Sequence, residues 1–154
     1  MPANNPFRCS FVPMAQRGAN EIVLLDTGSY PDFSEFQNAT FTWNGTTWAQ
    51  AAPATSPSPS RLDFASSYDG YNVVMFGGMS YDAPQQETWS WNGTTWAKLA
   101  PATVPFARFK AKMAHLATGA PKAVMFGGAA LLGTVGETWV WNGHSNTLNW
   151  TLAN

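Results

Sequence analysis

Val74-Met75-Phe76-Gly77-Gly78, followed ten residues on by Thr88-Trp89-Ser90-Trp91-Asn92-Gly93-Thr94-Thr95-Trp96, is the stretch that decides the fold. A hydrophobic run stops at two glycines, and two tryptophans one residue apart then open onto Asn-Gly and a third tryptophan. That order reads as strand, break, strand, turn, strand. Outward from it, the same landmarks recur on both sides. Val124-Met125-Phe126-Gly127-Gly128 lies 50 residues later, and the slot 50 residues earlier holds Leu24-Leu25-Asp26-Thr27-Gly28. Asn44-Gly45-Thr46-Thr47-Trp48 matches Asn92-Gly93-Thr94-Thr95-Trp96 letter for letter, and a weakened copy starts at Asn142-Gly143 and reaches its indole at Trp150. Trp139-x-Trp141 repeats Trp89-x-Trp91, and Phe41-x-Trp43 does so with one change. A period of 48 and then 50 residues signals a repeat architecture whose units bury their apolar faces against one another.

Each unit reads as four short strands. In the second these fall at residues 65–68, 72–76, 88–91 and 95–99, rich in β-branched and aromatic side chains and separated by Asp-Gly, Gly-Gly and Asn-Gly. Asn-Gly between two strands points to a type I′ hairpin turn, which needs positive φ at both central residues. The Trp-x-Trp spacing puts both indoles on one face of a strand. Pro53, Pro57 and Pro59 in one linker, and Pro101 and Pro105 in the next, lack amide donors and end strand pairing between units. No segment carries a helical period. The expected fold class is all-β, one repeat domain over residues 1–154, with units at about 7–53, 61–101 and 108–153.

Composition narrows the function classes. The 154 residues carry 8 Lys+Arg against 9 Asp+Glu, a net charge of −1 with no basic run, so neither nucleic acid nor a membrane surface is an expected partner. Only 11% of residues are charged while 45% are hydrophobic, which supports a packed core and excludes disorder. Cys9 is the single cysteine, so an intrachain disulfide and a cysteine-based zinc site are both excluded. The N-terminal residues lack the basic and apolar blocks of a secretory leader, and no apolar stretch approaches the ~18 residues of a membrane span. A soluble protein is expected, with the cytoplasm favoured as its compartment.

With these landmarks in register, the chain resembles the kelch repeat family over essentially its whole length. The features that carry the resemblance are the glycine pair after a hydrophobic strand (Gly77-Gly78, Gly127-Gly128), the aromatic that follows (Trp43, Trp91, Trp141) and the tryptophan five residues beyond (Trp48, Trp96). Two departures stand out: Asp26-Thr27-Gly28 replaces Phe-Gly-Gly in the first unit, and the third stretches the last spacing to nine residues, ending at Trp150. The resemblance implies that each unit is a four-stranded propeller blade. Propellers typically close with about 4 to 8 blades, so three blades leave two apolar faces uncovered. The economical expectation is a homodimer that completes a six-bladed ring. A stretch of a longer propeller is the alternative.

Several residues are candidates for function. Arg8, Arg61 and Arg108 lie 20, 17 and 20 residues ahead of the glycine that ends the second strand. In resemblance to kelch substrate adaptors, arginines at this place line the mouth of the channel and bind acidic peptide groups. The guanidinium fork suits carboxylate or phosphate, but it serves equally to staple backbone carbonyls between units, and both roles stay open for these arginines. The recurring tryptophans read as packing between units rather than as platforms for sugar, although a lectin-like propeller is an alternative. Ile22-Val23-Leu24-Leu25-Asp26-Thr27-Gly28-Ser29 has the form of an aspartic protease signature. Such chemistry requires two carboxylates sharing a proton, hence a homodimer with Asp26 on its axis. With the glycines aligned at a spacing of 50, Asp26 falls in the slot of Phe76 and Phe126, which argues for a structural position. His115 and His144 belong to no metal-binding or nucleophile-activating pattern, and Glu87 and Glu137 share one slot that suggests a hydrogen bond between units. No catalytic residue, metal or cofactor is expected, and the predicted function is a binding module for an unknown protein, peptide or carbohydrate ligand, with acidic groups favoured by the arginines.

Overall fold

The structure, a computed structural model, describes residues 12–27, 38–81, 83–117, 119–120, 122–143 and 148–153. These residues are all-β, with no helix among them. Sheet I contains β1 (Met14–Arg17), β2 (Glu21–Asp26), β3 (Ala39–Trp43) and β4 (Trp48–Gln50). Sheet II contains β5 (Ala65–Tyr68), β6 (Val73–Phe76), β7 (Thr88–Trp91) and β8 (Trp96–Leu99). Sheet III contains β9 (Lys112–Leu116), β10 (Lys122–Phe126), β13 (Thr138–Asn142) and β14 (Asn149–Leu152), with a small hairpin, β11 (Ala129–Ala130) and β12 (Gly133–Thr134), inserted after β10. Each sheet is an antiparallel meander in chain order, with short loops between its first and second and its third and fourth strands and a longer connection between its second and third. The first strands lie side by side, β1 against β5 and β5 against β9.

Register fixes which residues are equivalent. Leu25 pairs with Thr40, Phe76 with Thr88 and Phe126 with Thr138. Leu25, not Asp26, therefore occupies the Phe76 and Phe126 slot, and Asp26 stands where Gly77 and Gly127 stand, paired with Ala39. Aligning the glycine motifs by letter displaces the first unit by one residue. The Asn-Gly turns also differ from expectation. Gly45 and Gly93 have positive φ but Asn44 and Asn92 do not, which excludes the type I′ turn. Instead the Asn44 side-chain oxygen accepts from the amides of Thr46 and Thr47, both at 2.9 Å, and Asn92 does the same for Thr94 and Thr95. The four-residue loop is thus organised by its asparagine.

Two apolar clusters hold the sheets together, and one is the other shifted by a unit. Between sheets I and II lie Val23 and Leu25 against Phe64, Val73, Met75, Trp89, Trp91 and Trp96. Between sheets II and III lie Val74 and Phe76 against Ala111, Ala123, Met125, Trp139, Trp141 and Trp150. Within each sheet the paired indoles keep one geometry: Trp43 and Trp48 are 5.5 Å apart, Trp91 and Trp96 5.5 Å, and Trp141 and Trp150 5.3 Å. A polar bond accompanies each of the two contacts between sheets. Trp96 Nε1 donates to Thr40 Oγ1 at 2.9 Å, and Trp150 Nε1 donates to Thr88 Oγ1 at 2.9 Å. Burying an indole in this way satisfies its only donor, so the packing carries no polar penalty. The proline-bearing linkers cross over to the outer strand of the next sheet, where the amides of Trp96 and Trp150 donate to the carbonyls of Thr55 and Thr103.

Candidate functional site

The sequence-derived arginines come first. Arg8 lies outside the described residues, as do Cys9, Gly28, Ser29 and His144. Arg61 and Arg108 both sit four residues ahead of a first strand, with side chains 0% exposed. Their surroundings match atom for atom. Arg61 donates from Nε to Pro59 O at 3.0 Å, from Nη1 to Gly77 O at 3.5 Å and from Nη2 to Glu87 Oε2 at 2.6 Å. Arg108 donates from Nε to Phe106 O at 3.0 Å, from Nη1 to Gly127 O at 3.2 Å and from Nη2 to Glu137 Oε2 at 2.6 Å. Each carboxylate also accepts an indole N–H, Glu87 from Trp89 at 3.1 Å and Glu137 from Trp139 at 2.9 Å. Lys98 adds a close ion pair to Glu87.

Electrostatics follow from these contacts. Burial pushes the Glu87 carboxyl upward, but the bonds from Lys98, Arg61 and Trp89 outweigh it and leave the group below the usual range. Bonds from Arg108 and Trp139 hold Glu137 low as well. Burial lowers the pKa of Arg61, and its bond to Glu87 works against that shift. Sheet I has no such carboxylate, because Ala39 takes the position of Glu87 and Glu137 and Phe41 that of Trp89 and Trp139.

Between their first strands the sheets leave a groove. It has a volume of about 390 Å³ and runs along the three first strands, lined in successive register layers by Met14, Ser66 and Met113, by Ala15, Ser67 and Ala114, and by Gln16, Tyr68 and His115. Neither Arg61 nor Arg108 lines it. His115 Nδ1 lies 3.0 Å from Tyr68 O, and the two rings are 5.3 Å apart. The adjoining end of the groove, of about 360 Å³, is walled by residues including Asp63, Phe64, Ala111 and Lys112. Two loops carry large exposed side chains: Tyr81, 73% exposed, in the β6–β7 connection, and Phe106, 71% exposed, in the linker that follows sheet II. These two loops are tied together, since Gln86 Nε2 donates to Pro105 O at 2.9 Å.

Other candidates occupy plainer surroundings. Asp26 is buried at the end of β2, inside sheet I. Trp91, Trp96, Trp141 and Trp150 are buried, so their faces pack against protein, whereas Trp43 and Trp48 are half-buried. The glycine pairs are required by the backbone: a Cβ on Gly77 would lie 2.3 Å from Arg108 O, and Gly78 N donates to that same carbonyl. Among the described residues no cluster of three His, Cys, Asp or Glu side chains is placed to hold a metal ion. No helix of the described residues is long and apolar enough to cross a membrane. Comparison with models of known protein families gives no match, and no curated protein matches the chain.

Proposed function

We propose that the chain is a run of three kelch-like propeller blades and works as a non-catalytic binding module whose ligand face is the groove along β1, β5 and β9. The observation that carries this reading is the repeated lining: three register layers from three first strands leave open positions there, while the chemistry-bearing arginines are engaged by protein groups on every nitrogen. In a propeller the first strands surround the central channel, and loops at its ends make contact with ligands. Ser66 and Gln16 offer hydroxyl and amide groups with little net charge and Met14 offers exposed apolar surface, whereas the hydroxyls of Ser67 and Tyr68 are taken by the carbonyls of Tyr68 and Gly70. That combination suits an uncharged polar segment of a protein or peptide. Arg61 and Arg108 are, in this reading, architectural: each joins a linker, a glycine turn and a third-strand carboxylate of its own unit.

The test is a titration of isotope-labelled protein with displayed loop peptides and with neutral and acidic oligosaccharides, followed by amide shifts. Shifts clustering on residues 14–16, 66–68 and 113–115 with a neutral peptide support the groove. Binding of acidic ligands alone, abolished by high salt and by Arg61→Met, would move the site back to the arginines. Peptide cleavage lost on Asp26→Asn would replace the binding module by a protease.

A further inference from the structure

Sheets I and III each carry half of the cluster that is complete between the sheets. On sheet I, Leu24, Ala39 and Phe41 are buried in a small cluster against which Val12 and Trp48 pack, and the part of this face left to solvent is that of the half-buried Trp43 and Trp48. By register Leu24, Phe41, Val12 and Trp48 are equivalent to Met75, Trp89, Phe64 and Trp96 on sheet II, and to Met125, Trp139, Ala111 and Trp150 on sheet III. In those two sheets the residues are packed against the preceding sheet. On sheet III the opposite half stands open. Phe76 is 1% exposed because Trp150 meets its ring edge-on at 5.3 Å, yet its equivalent Phe126 is 58% exposed. The hairpin β11–β12 beside it presents Leu131 and Leu132 to solvent. Its equivalent in sheet II is the loop from Met79 to Gln85, which contacts the next unit through Gln85 O and the amide of Arg108.

We propose that a second copy of this chain covers both faces, head to tail: Trp43 and Trp48 of each copy pack on Val124 and Phe126 of the other, repeating the contact that Trp141 and Trp150 make with Val74 and Phe76. The occupant is specified by the molecule itself, since the internal contacts show what fits each half. Thr138 stands at the register position of Thr40 and Thr88, in line with Trp48 of the other copy. Two such contacts, related by a two-fold axis, close a ring of six sheets. The pair is unusual in that a two-fold assembly is built from unlike surfaces. Assembly here does not depend on the groove taking a ligand, and its test uses none.

Sedimentation velocity and tryptophan emission on the full chain decide the matter. The expected mass is twice the 16.7 kDa of the chain, with emission shifting to the red on dilution as Trp48 becomes wetted. Phe126→Lys should yield a folded single chain at concentrations where the parent is paired, a loss of about 100-fold or more in affinity, because both contacts change at once. Trp48→Asp should do likewise. Mixing the two variants restores one intact contact and places Asp opposite Lys at the other, so a two-chain species should reappear. An interface between like surfaces predicts no such rescue, and its absence overturns the proposal. A parent protein that stays a single chain at micromolar concentration, or that grows into open-ended oligomers, overturns it too. Should Trp48→Asp not fold, Phe126→Lys decides alone: a monomer with red-shifted emission supports the contact, and an unchanged pair refutes it.

Discussion

Arg108→Met separates an architectural arginine from a ligand-binding one. Methionine fills much of the same volume, so the cost is polar rather than a cavity. The guanidinium leaves behind Phe106 O, bonded at 3.0 Å, and Gly127 O, bonded at 3.2 Å, inside a site where the arginine side chain is 0% exposed. Each stranded carbonyl costs about 1–3 kcal/mol. Glu137 adds little, because its side chain is 33% exposed and keeps the Trp139 indole. Allowing for the apolar contacts that methionine gains, we expect a net loss of about 3 kcal/mol. For a chain of this size that corresponds to a fall in Tm of roughly 6–12 °C. Calorimetry on the parent, Arg108→Met, Glu137→Gln and the double variant provides the assay. The double variant should lose less than the sum of the two singles, since the residues share one bond. A destabilisation under about 1 kcal/mol, accompanied by loss of anion binding, would refute the architectural reading and place Arg108 at a ligand face.

Two further outcomes follow from the same contacts. Glu87 and Glu137 titrate lower in the folded chain than an ordinary glutamate, so their contribution is complete above the unfolded value of about 4.3 and disappears as pH falls toward the depressed folded values. Urea midpoints should therefore decline below about pH 4.3, and less steeply in Glu137→Gln; equal slopes would show that the pair does not couple to folding. Gly77 and Gly127 share a φ of +70°, but a Cβ on Gly77 meets Arg108 O at 2.3 Å, whereas on Gly127 the nearest atom is Val135 O at 3.4 Å. Gly127→Ala should cost about 1–2 kcal/mol of backbone strain, and Gly77→Ala clearly more; equal losses by thermal unfolding would contradict the close approach.

The four-strand unit was legible because its punctuation is chemical. Glycine pairs, Asn-Gly and the prolines mark where pairing must stop, and the expected strands at 65–68 and 88–91 coincide with β5 and β7. Two errors arose where letters and geometry part. Asp26-Thr27-Gly28 resembles Phe-Gly-Gly in its last letter, but strand pairing counts residues from the turn and shifts the unit by one. Asn-Gly reads as a two-residue turn because nothing in those two letters reveals that the asparagine side chain caps the following amides. The shared slot of Glu87 and Glu137 is visible in the sequence, but the bond expected there between units forms within each unit instead, to an arginine 26 or 29 residues earlier that no local pattern reveals. Divergence between units hides more. Asp69 accepts from Trp141 Nε1 at 3.0 Å, but Arg17 occupies the equivalent position, and among the described residues Trp91 Nε1 has no partner. The groove could not be found from motifs, because its lining is ordinary serine, alanine and methionine brought together only by the packing of β1, β5 and β9.

The tryptophan-to-threonine bonds between sheets all point backward along the chain, from Trp96 to Thr40 and from Trp150 to Thr88. Each unit is thus a link with a plug on one side and a socket on the other. Gene duplication or loss of a whole unit, near 50 residues, leaves plug and socket unchanged at both ends. In the ring proposed above, the number of links would be set by the turn angle at each joint and not by any residue dedicated to counting. A lineage built this way can change its size in whole steps without evolving a new contact, and the close approach of the Arg108 carbonyl to Gly77 and Gly78 of the preceding unit is where a change of angle would first be felt.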